Sequence, residues 1–298
     1  MERMSAERDP PTGKDDRPRQ TRLEIQKLNE LPAMSLVVRQ FLAAVQDPDL
    51  EVRQMAQIVE QDPGLLGRLI GVANSAYFGY PEPVVTAEDA IFKVLGLNIA
   101  RNLALGIVLS GPFDASRCPG FALDRYWAHA MTVALLAQRL APFVTITPRP
   151  SPGDAYLAGL LHSIGLLALV HLFPRAMNEV FRARPADADA LLALEREIVG
   201  ADHCDVGGWL ARKWRLPRHI VAVVERHMES GHKGEHHVLA SLIRHAVRWA
   251  EAQDGGADAP PPDMSDCGLD AAAVQQSTAE IGARREQIRQ LSRVLAHG

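Results

Sequence analysis

Residues 155–173 read AYLAGLLHSIGLLALVHLF, without one charged side chain. About 20 apolar residues cross a bilayer, so such a run has two outcomes. It spans a membrane, or other elements seal it on all sides. His162, Ser163 and His171 interrupt the run, two glycines weaken it, and it closes on Phe173-Pro174 with no basic anchor cluster. These features argue against a span. The expectation is a central buried helix, no membrane association and a cytoplasmic chain. The composition can supply the surrounding core: 47% of the 298 residues are hydrophobic and 23% charged. A net charge of −4 gives no overall drive toward nucleic acid or anionic lipid. Cys118, Cys204 and Cys267 are odd in number and widely spaced, which fits a reducing compartment and not a disulfide framework.

Helix signals fill the middle of the chain. Asp62-Pro63 is a helix start, with Asp accepting orphan amides and Pro fitting the first turn. Thr86 to Asp89 is a capping-box variant, and Gly96 is a stop. Tyr126, His129, Val133, Leu136 and Leu140 recur every three or four residues. So do His203, Val206, Gly207, Leu210 and Trp214, and then Ile220, Val223, Val224 and His227. No alternating strand or Asn-Gly hairpin signal is present, so the fold class is all-α. Residues 1–23 read as a disordered tail with no secretory leader. A domain of two halves follows, 24–123 and 124–232, with an additional helix over 233–250. The Gly/Pro/Asp-rich stretch 251–269 reads as a linker. A last helix over 270–298 carries Val274, Ile281, Ile288 and Leu295 seven residues apart, either docking back on the body or forming a short coiled coil.

Four histidines fall where apolar residues are expected: His129, His162, His203 and His227. A lone histidine on such a stripe is usually a satisfied core residue. Four on separate helices could share a pocket, as helical bundles do when they build metal sites. Spacing alone does not decide between these. Cys204 follows His203 directly, but neighbours on a helix diverge by about 100°, so it reads as a small buried residue.

An ordered set of words then adds to this reading. They are Leu31-Pro32, Asp62-Pro63-Gly64-Leu65, Asn74-Ser75-Ala76-Tyr77-Phe78, Ala90-Ile91, Leu95-Gly96 and Trp127-Ala128-His129. Gly159-Leu160-Leu161-His162 with Gly165 comes next, then Glu197, Gly200, His203, Val206-Gly207, Leu210, Trp214, Leu216-Pro217 and His227. In this order they resemble the HDOD family, the HD-related output domain, a degenerate branch of the HD and HD-GYP phosphohydrolase superfamily. The resemblance implies an N-terminal helical subdomain followed by a degenerate HD-like core. It places His129 at the first metal-binding histidine of the superfamily and His162 at the histidine of the His-Asp pair. Ser163 stands where the Asp should be, and the later Asp falls at Val247. His227-Met228 occupies the place of two adjacent histidines in HD-GYP relatives.

The superfamily's hydrolytic centre holds its metal with anionic carboxylates as well as imidazoles, so the resemblance implies no enzyme and no required cofactor. His129, His162, His203 and His227 would remain as candidate ligands for at most one divalent ion. The implied role is a bacterial signal-transduction output or scaffold module that binds proteins such as response regulators or cyclic-dinucleotide enzymes, with the oligomeric state left open. Two alternatives stand beside it. A residual metal-dependent phosphohydrolase would need carboxylates from elsewhere, Glu197 or Glu225 being nearest in sequence. A DNA-binding regulator would use residues 90–109 as a helix-turn-helix, with Asn98, Arg101 and Asn102 as its donors.

Overall fold

The computed structural model describes residues 36–47, 49–254 and 260–297. The expected tail over 1–23 and the Leu31-Pro32 word lie outside them. Among the described residues there is no strand. The first half contains α1 (Leu36–Gln46), α2 (Val52–Glu60), α3 (Pro63–Ala73), a one-turn α4 (Ala87–Asp89) that continues as a π-helical turn over Ala90–Leu95, and α5 (Leu97–Ser110). The caps read from sequence form here. Asp62 Oδ1 accepts from the amides of Gly64 and Leu65 at 3.0 and 3.1 Å, and Thr86 Oγ1 accepts from the Asp89 amide at 3.1 Å. Gly96, at φ 73°, donates its amide to Ile91 O and ends the turn. The Asn74 side chain clamps the following loop through both the amide and the carbonyl of Val84.

The second half runs through α6 (Leu123–Leu140), α7 (Pro152–Leu161), α8 (Ile164–Leu172), α9 (Pro174–Arg182), α10 (Ala188–Ile198), α11 (His203–Lys213), α12 (Arg218–Arg226) and α13 (His237–Asp254). The uncharged run is not one helix. It divides at His162-Ser163 into α7 and α8. By length and composition Pro152–Leu172 could cross a membrane, yet 83% of its most apolar window is buried inside the protein. Helix α6 packs on α7, and α7 packs on α5 and α12, so the two halves share one apolar interior. A smaller cluster that includes Leu169, Met177, Val180, Val206 and Leu210 fills the space among α8, α9 and α11.

Glycines allow two of these contacts. A Cβ on Gly159 would lie 2.6 Å from Ala134 Cα, so α6 and α7 touch backbone to backbone. A Cβ on Gly165 would lie 2.0 Å from His203 O and 2.5 Å from Gly207 N, so α8 and α11 meet the same way. The second contact carries His203 to the neighbourhood of His162.

Two boundaries differ from expectation. Helix α13 continues through Asp254, four residues into the stretch read as a linker, because the helix-breaking residues begin only at Gly255. The expected last helix is two, α14 (Ala271–Ala283) and α15 (Arg285–His297), with the break at Arg284, whose guanidinium sits 5.4 Å from the Tyr77 ring centroid. The seven-residue stripe survives the break: Val274, Ile281, Ile288 and Leu295 are all buried. The pair docks on α6, and α15 also reaches α3, so it packs back on the body.

Candidate functional site

Each of the four histidines sits at a defined place on a different element. His129 lies inside α6, His162 caps the C-terminus of α7, His203 opens α11 and His227 caps the C-terminus of α12. They converge. Ring centroids are 5.4 Å apart for His129 and His162, 5.2 Å for His162 and His227, and 6.2 Å for His203 and His227. All four line one cavity of about 310 Å³, with Ser163 and Val247 beside them.

The second nitrogen of three rings is committed. His162 Nδ1 donates to Gly159 O at 2.7 Å and His227 Nδ1 to Val223 O at 3.0 Å, both carbonyls of the helix that the ring caps. His203 Nδ1 donates to Glu195 Oε2 at 2.8 Å, and the same oxygen takes the His203 amide at 2.9 Å. His227 Nε2 is buried without a partner among the described residues. Burial pushes His162 well below its ordinary pKa, helped by repulsion from His227 and His129. Burial and the charge of His203 bring His227 down to about 3. Burial pulls the same way on His203, but the Glu195 carboxylate and Cys204 together hold His203 well above the ordinary value. The site therefore contains two neutral imidazoles and one imidazolium–carboxylate pair.

Ser163 and Val247 take no part in this chemistry. Ser163 presents a neutral hydroxyl to the cavity beside Tyr126, whose phenol burial drives far up. Val247 is 3% exposed and presents only methyl groups. One and two turns later on α13, Glu251 and Asp254 also line the cavity. Burial raises Glu251, with His129 opposing. Asp254 Oδ2 lies 3.8 Å from His129 Nδ1, and Oδ1 lies 3.6 Å from Arg285 Nη2. Burial alone would raise this carboxyl, but His129 and the arginines hold it below its ordinary value.

The carboxylates expected to supply a residual hydrolase are not in the cavity. Glu197 is exposed on α10, and Glu225 pairs with Arg212 on the outer side of α12. The buried glutamate is Glu195, two residues from the one singled out. The helix-turn-helix reading also fails on geometry. Residues 102–110 of α5 are buried, Asn102 donates to Gly153 O at 3.0 Å, and Arg101 is drawn to Asp47 O and Asn98. A recognition helix needs such donors free.

The superfamily's hydrolytic centre holds a pair of hard cations, which require carboxylate oxygens. Ser163 is a neutral hydroxyl and Val247 is apolar, so these residues do not fit that centre. One borderline ion is a different case. A tetrahedral ion with metal–nitrogen bonds of about 2.0–2.1 Å needs its ligand atoms close together. His203, Cys204 and His227 have ligand atoms within 4.8 Å of one another, while His129 and His162 belong to no such group among the described residues. Anchoring of Nδ1 to a carbonyl also orients histidine ligands in metal proteins.

The chain is similar to known proteins. An uncharacterized protein from Treponema pallidum (strain Nichols) is 22% identical over 233 residues, covering 77% of this chain and 44% of that relative. Among solved structures, a candidate signal transduction protein from Marinobacter aquaeolei VT8 superposes with TM-score 0.79 at 23% identity, over 95% of this chain and 66% of that one. A candidate phosphohydrolase from Shewanella amazonensis SB2B gives 0.72 at 25% identity, over 91% and 97%. An HDOD domain protein of unknown function from Geobacter sulfurreducens gives 0.71 at 22% identity, over 94% and 98%. The chain thus spans under half of the curated relative and about two thirds of the Marinobacter protein, and the likeness to the solved structures is one of fold. Residues 31–230, which include all four histidines and the turn at Ser163, match the HDOD domain, and the chain belongs to that family.

Proposed function

We propose that this protein is a non-enzymatic bacterial signalling module that acts in the cytoplasm by binding partner proteins, such as response regulators or cyclic-dinucleotide enzymes. One observation carries the reading: both carboxylate positions of the hydrolytic frame are lost, one to the neutral hydroxyl of Ser163 and the other to the apolar Val247. Without them a pair of hard cations is not held, which closes the paired-metal route to phosphoester hydrolysis. The test is hydrolysis of bis-p-nitrophenyl phosphate, cyclic di-GMP and (p)ppGpp by the purified chain with Mn²⁺ or Mg²⁺. No turnover above buffer is expected. Turnover that His162→Ala abolishes would overturn the reading. Affinity capture from the native cell with mass spectrometry then names the partner.

A second reading rests on His203, Cys204 and His227, whose ligand atoms lie within 4.8 Å of one another: they hold a single zinc-like ion without turning over phosphoesters. Elemental analysis after dialysis against equimolar zinc checks it. One ion per chain, lost in Cys204→Ala, is expected; less than a tenth of an ion per chain refutes it.

A further inference from the structure

The histidine cavity continues beyond its histidines. Arg125 and Asp254 are walls of it and also of a second cavity, about 420 Å³, between α6 and α15. Arg289 and Arg293 of α15 complete the basic side of that second space. Three carboxylates, Asp124, Asp254 and Glu286, line the same walls. Asp254 is engaged by His129 and Arg285, and Arg289 also acts on it electrostatically. Arg125, Arg289 and Arg293 have no close ion pair among the described residues, and these three guanidiniums face a common space.

The histidine cavity is mostly apolar. Phe121, Tyr126, Leu166, Phe181, Leu191 and Met228 wall it. Phe121 sits in an aromatic group, 5.7 Å from Phe181 and 5.9 Å from Tyr126 between ring centroids. The result is an apolar chamber that shares a wall with an arginine-lined space. Each space alone falls within the roughly 300–1,000 Å³ typical of small-molecule sites. Arg289 and Arg293 lie on α15, outside the residues that match the HDOD domain.

We propose that the joined cavities bind a small amphiphilic anion, its flat aromatic body in the chamber and its carboxylate, sulfonate or phosphate on Arg125, Arg289 and Arg293. Guanidinium forks suit planar anionic groups, and charge-assisted hydrogen bonds are about twice as strong as neutral ones. Burial of the aromatic body supplies the rest. Such a ligand touches α6 and α15 at once, so its presence is transmitted to the C-terminal helix pair. The proposal gives the signalling module an input, and it rests on the non-hydrolytic reading only in that the anion is held and not turned over.

The probe is 8-anilinonaphthalene-1-sulfonate, an aromatic body with one sulfonate, titrated by fluorescence into the full-length folded chain. N-phenyl-1-naphthylamine, the same body without charge, is the control. One saturable site for the sulfonate is expected. The double variant Arg289→Gln/Arg293→Gln weakens it at least tenfold and changes the neutral control less than twofold, while Phe181→Ala weakens both. The two arginines are exposed, and an unchanged thermal melt confirms that the variant folds. Sulfonate affinity indifferent to the arginine pair, or only multiple weak sites, overturns the proposal. Phosphoester turnover would instead overturn the non-hydrolytic reading, so the two failures are distinguishable.

Discussion

Acid should destabilise this protein through its buried neutral histidines before its carboxylates protonate. His227 titrates near 3 in the fold, against an ordinary value of 6.5. A base whose folded pKa is depressed binds fewer protons in the native than in the unfolded state, so stability falls as pH drops below the unfolded value. At pH 5 an unfolded imidazole is almost fully protonated while His227 is not. The linkage is worth about 1.5 pH units at 1.36 kcal/mol each, or about 2 kcal/mol, against about 0.1 kcal/mol at pH 7.5. His162 adds to the same slope, because burial and its histidine neighbours depress it too. Urea unfolding followed by the fluorescence of the four tryptophans, in EDTA at pH 5, 6 and 7.5, measures it. The wild type should lose at least about 2 kcal/mol between pH 7.5 and 5. His227→Gln cannot titrate, and its loss should be smaller by about 2 kcal/mol. If both proteins lose the same amount, His227 is not held neutral in the fold and the account of the site is wrong.

Glu195→Ala leaves the His203 imidazolium buried and unpaired, at a cost of about 3–5 kcal/mol. A raised histidine gives its full stabilisation below the unfolded value of about 6.5 and loses it as pH climbs through the folded value. The Glu195→Ala deficit should therefore be largest at pH 6 and shrink by pH 9 in the same urea assay. Gly165→Ala drives a methyl group into His203 O and Gly207 N, backbone atoms that cannot swing aside, and should cost about 3 kcal/mol or more. Gly67→Ala in α3, where a Cβ meets nothing within 4 Å, should instead raise the unfolding midpoint, by up to about 1 kcal/mol. A Gly165→Ala protein as stable as wild type would refute the backbone contact that sets His203.

Local chemistry was legible in the sequence, and long-range chemistry was not. Asp62, Thr86 and Gly96 act on amides within five residues, so their roles show in the order of residues alone. The seven-residue stripe was legible for the same reason, but its break at Arg284 was not, since Gly282 still lies inside α14 and no Pro follows it. Glu195 carried a readable signal. It falls on the stripe Ala188, Leu192, Glu195, the buried positions of α10, where a glutamate must have a partner. The composition of 251–269 concealed Glu251 and Asp254, because a helix that ends in acidic residues before Gly-Gly looks like the linker it leads into. Convergence of the histidines depends on helix crossings that sequence spacing does not encode. Gly159, Gly165 and Gly207 stand where those crossings are closest, yet a glycine names no partner.

The fate of the lost carboxylates explains why the histidines can remain without them. In a hydrolytic centre the Asp beside the histidine must face the metal. Here Ser163 sits in the turn between α7 and α8 beside Tyr126, which lies one turn before His129 on the same face of α6. His162 closes the end of α7 by donating to Gly159 O, and His227 Nδ1 shares Val223 O with its own amide at the end of α12. His203 and Glu195 join α11 to α10 through a pair shielded from water. Each of these three imidazoles thus has a structural task at its own helix end that needs no ion. Removing the carboxylates relieves the cavity of anions that would otherwise sit uncompensated in an apolar wall, which costs several kcal/mol per ion. An aromatic-lined cavity with neutral imidazoles beside an arginine-lined space is suited to hold a ligand and unsuited to hydrolyse one.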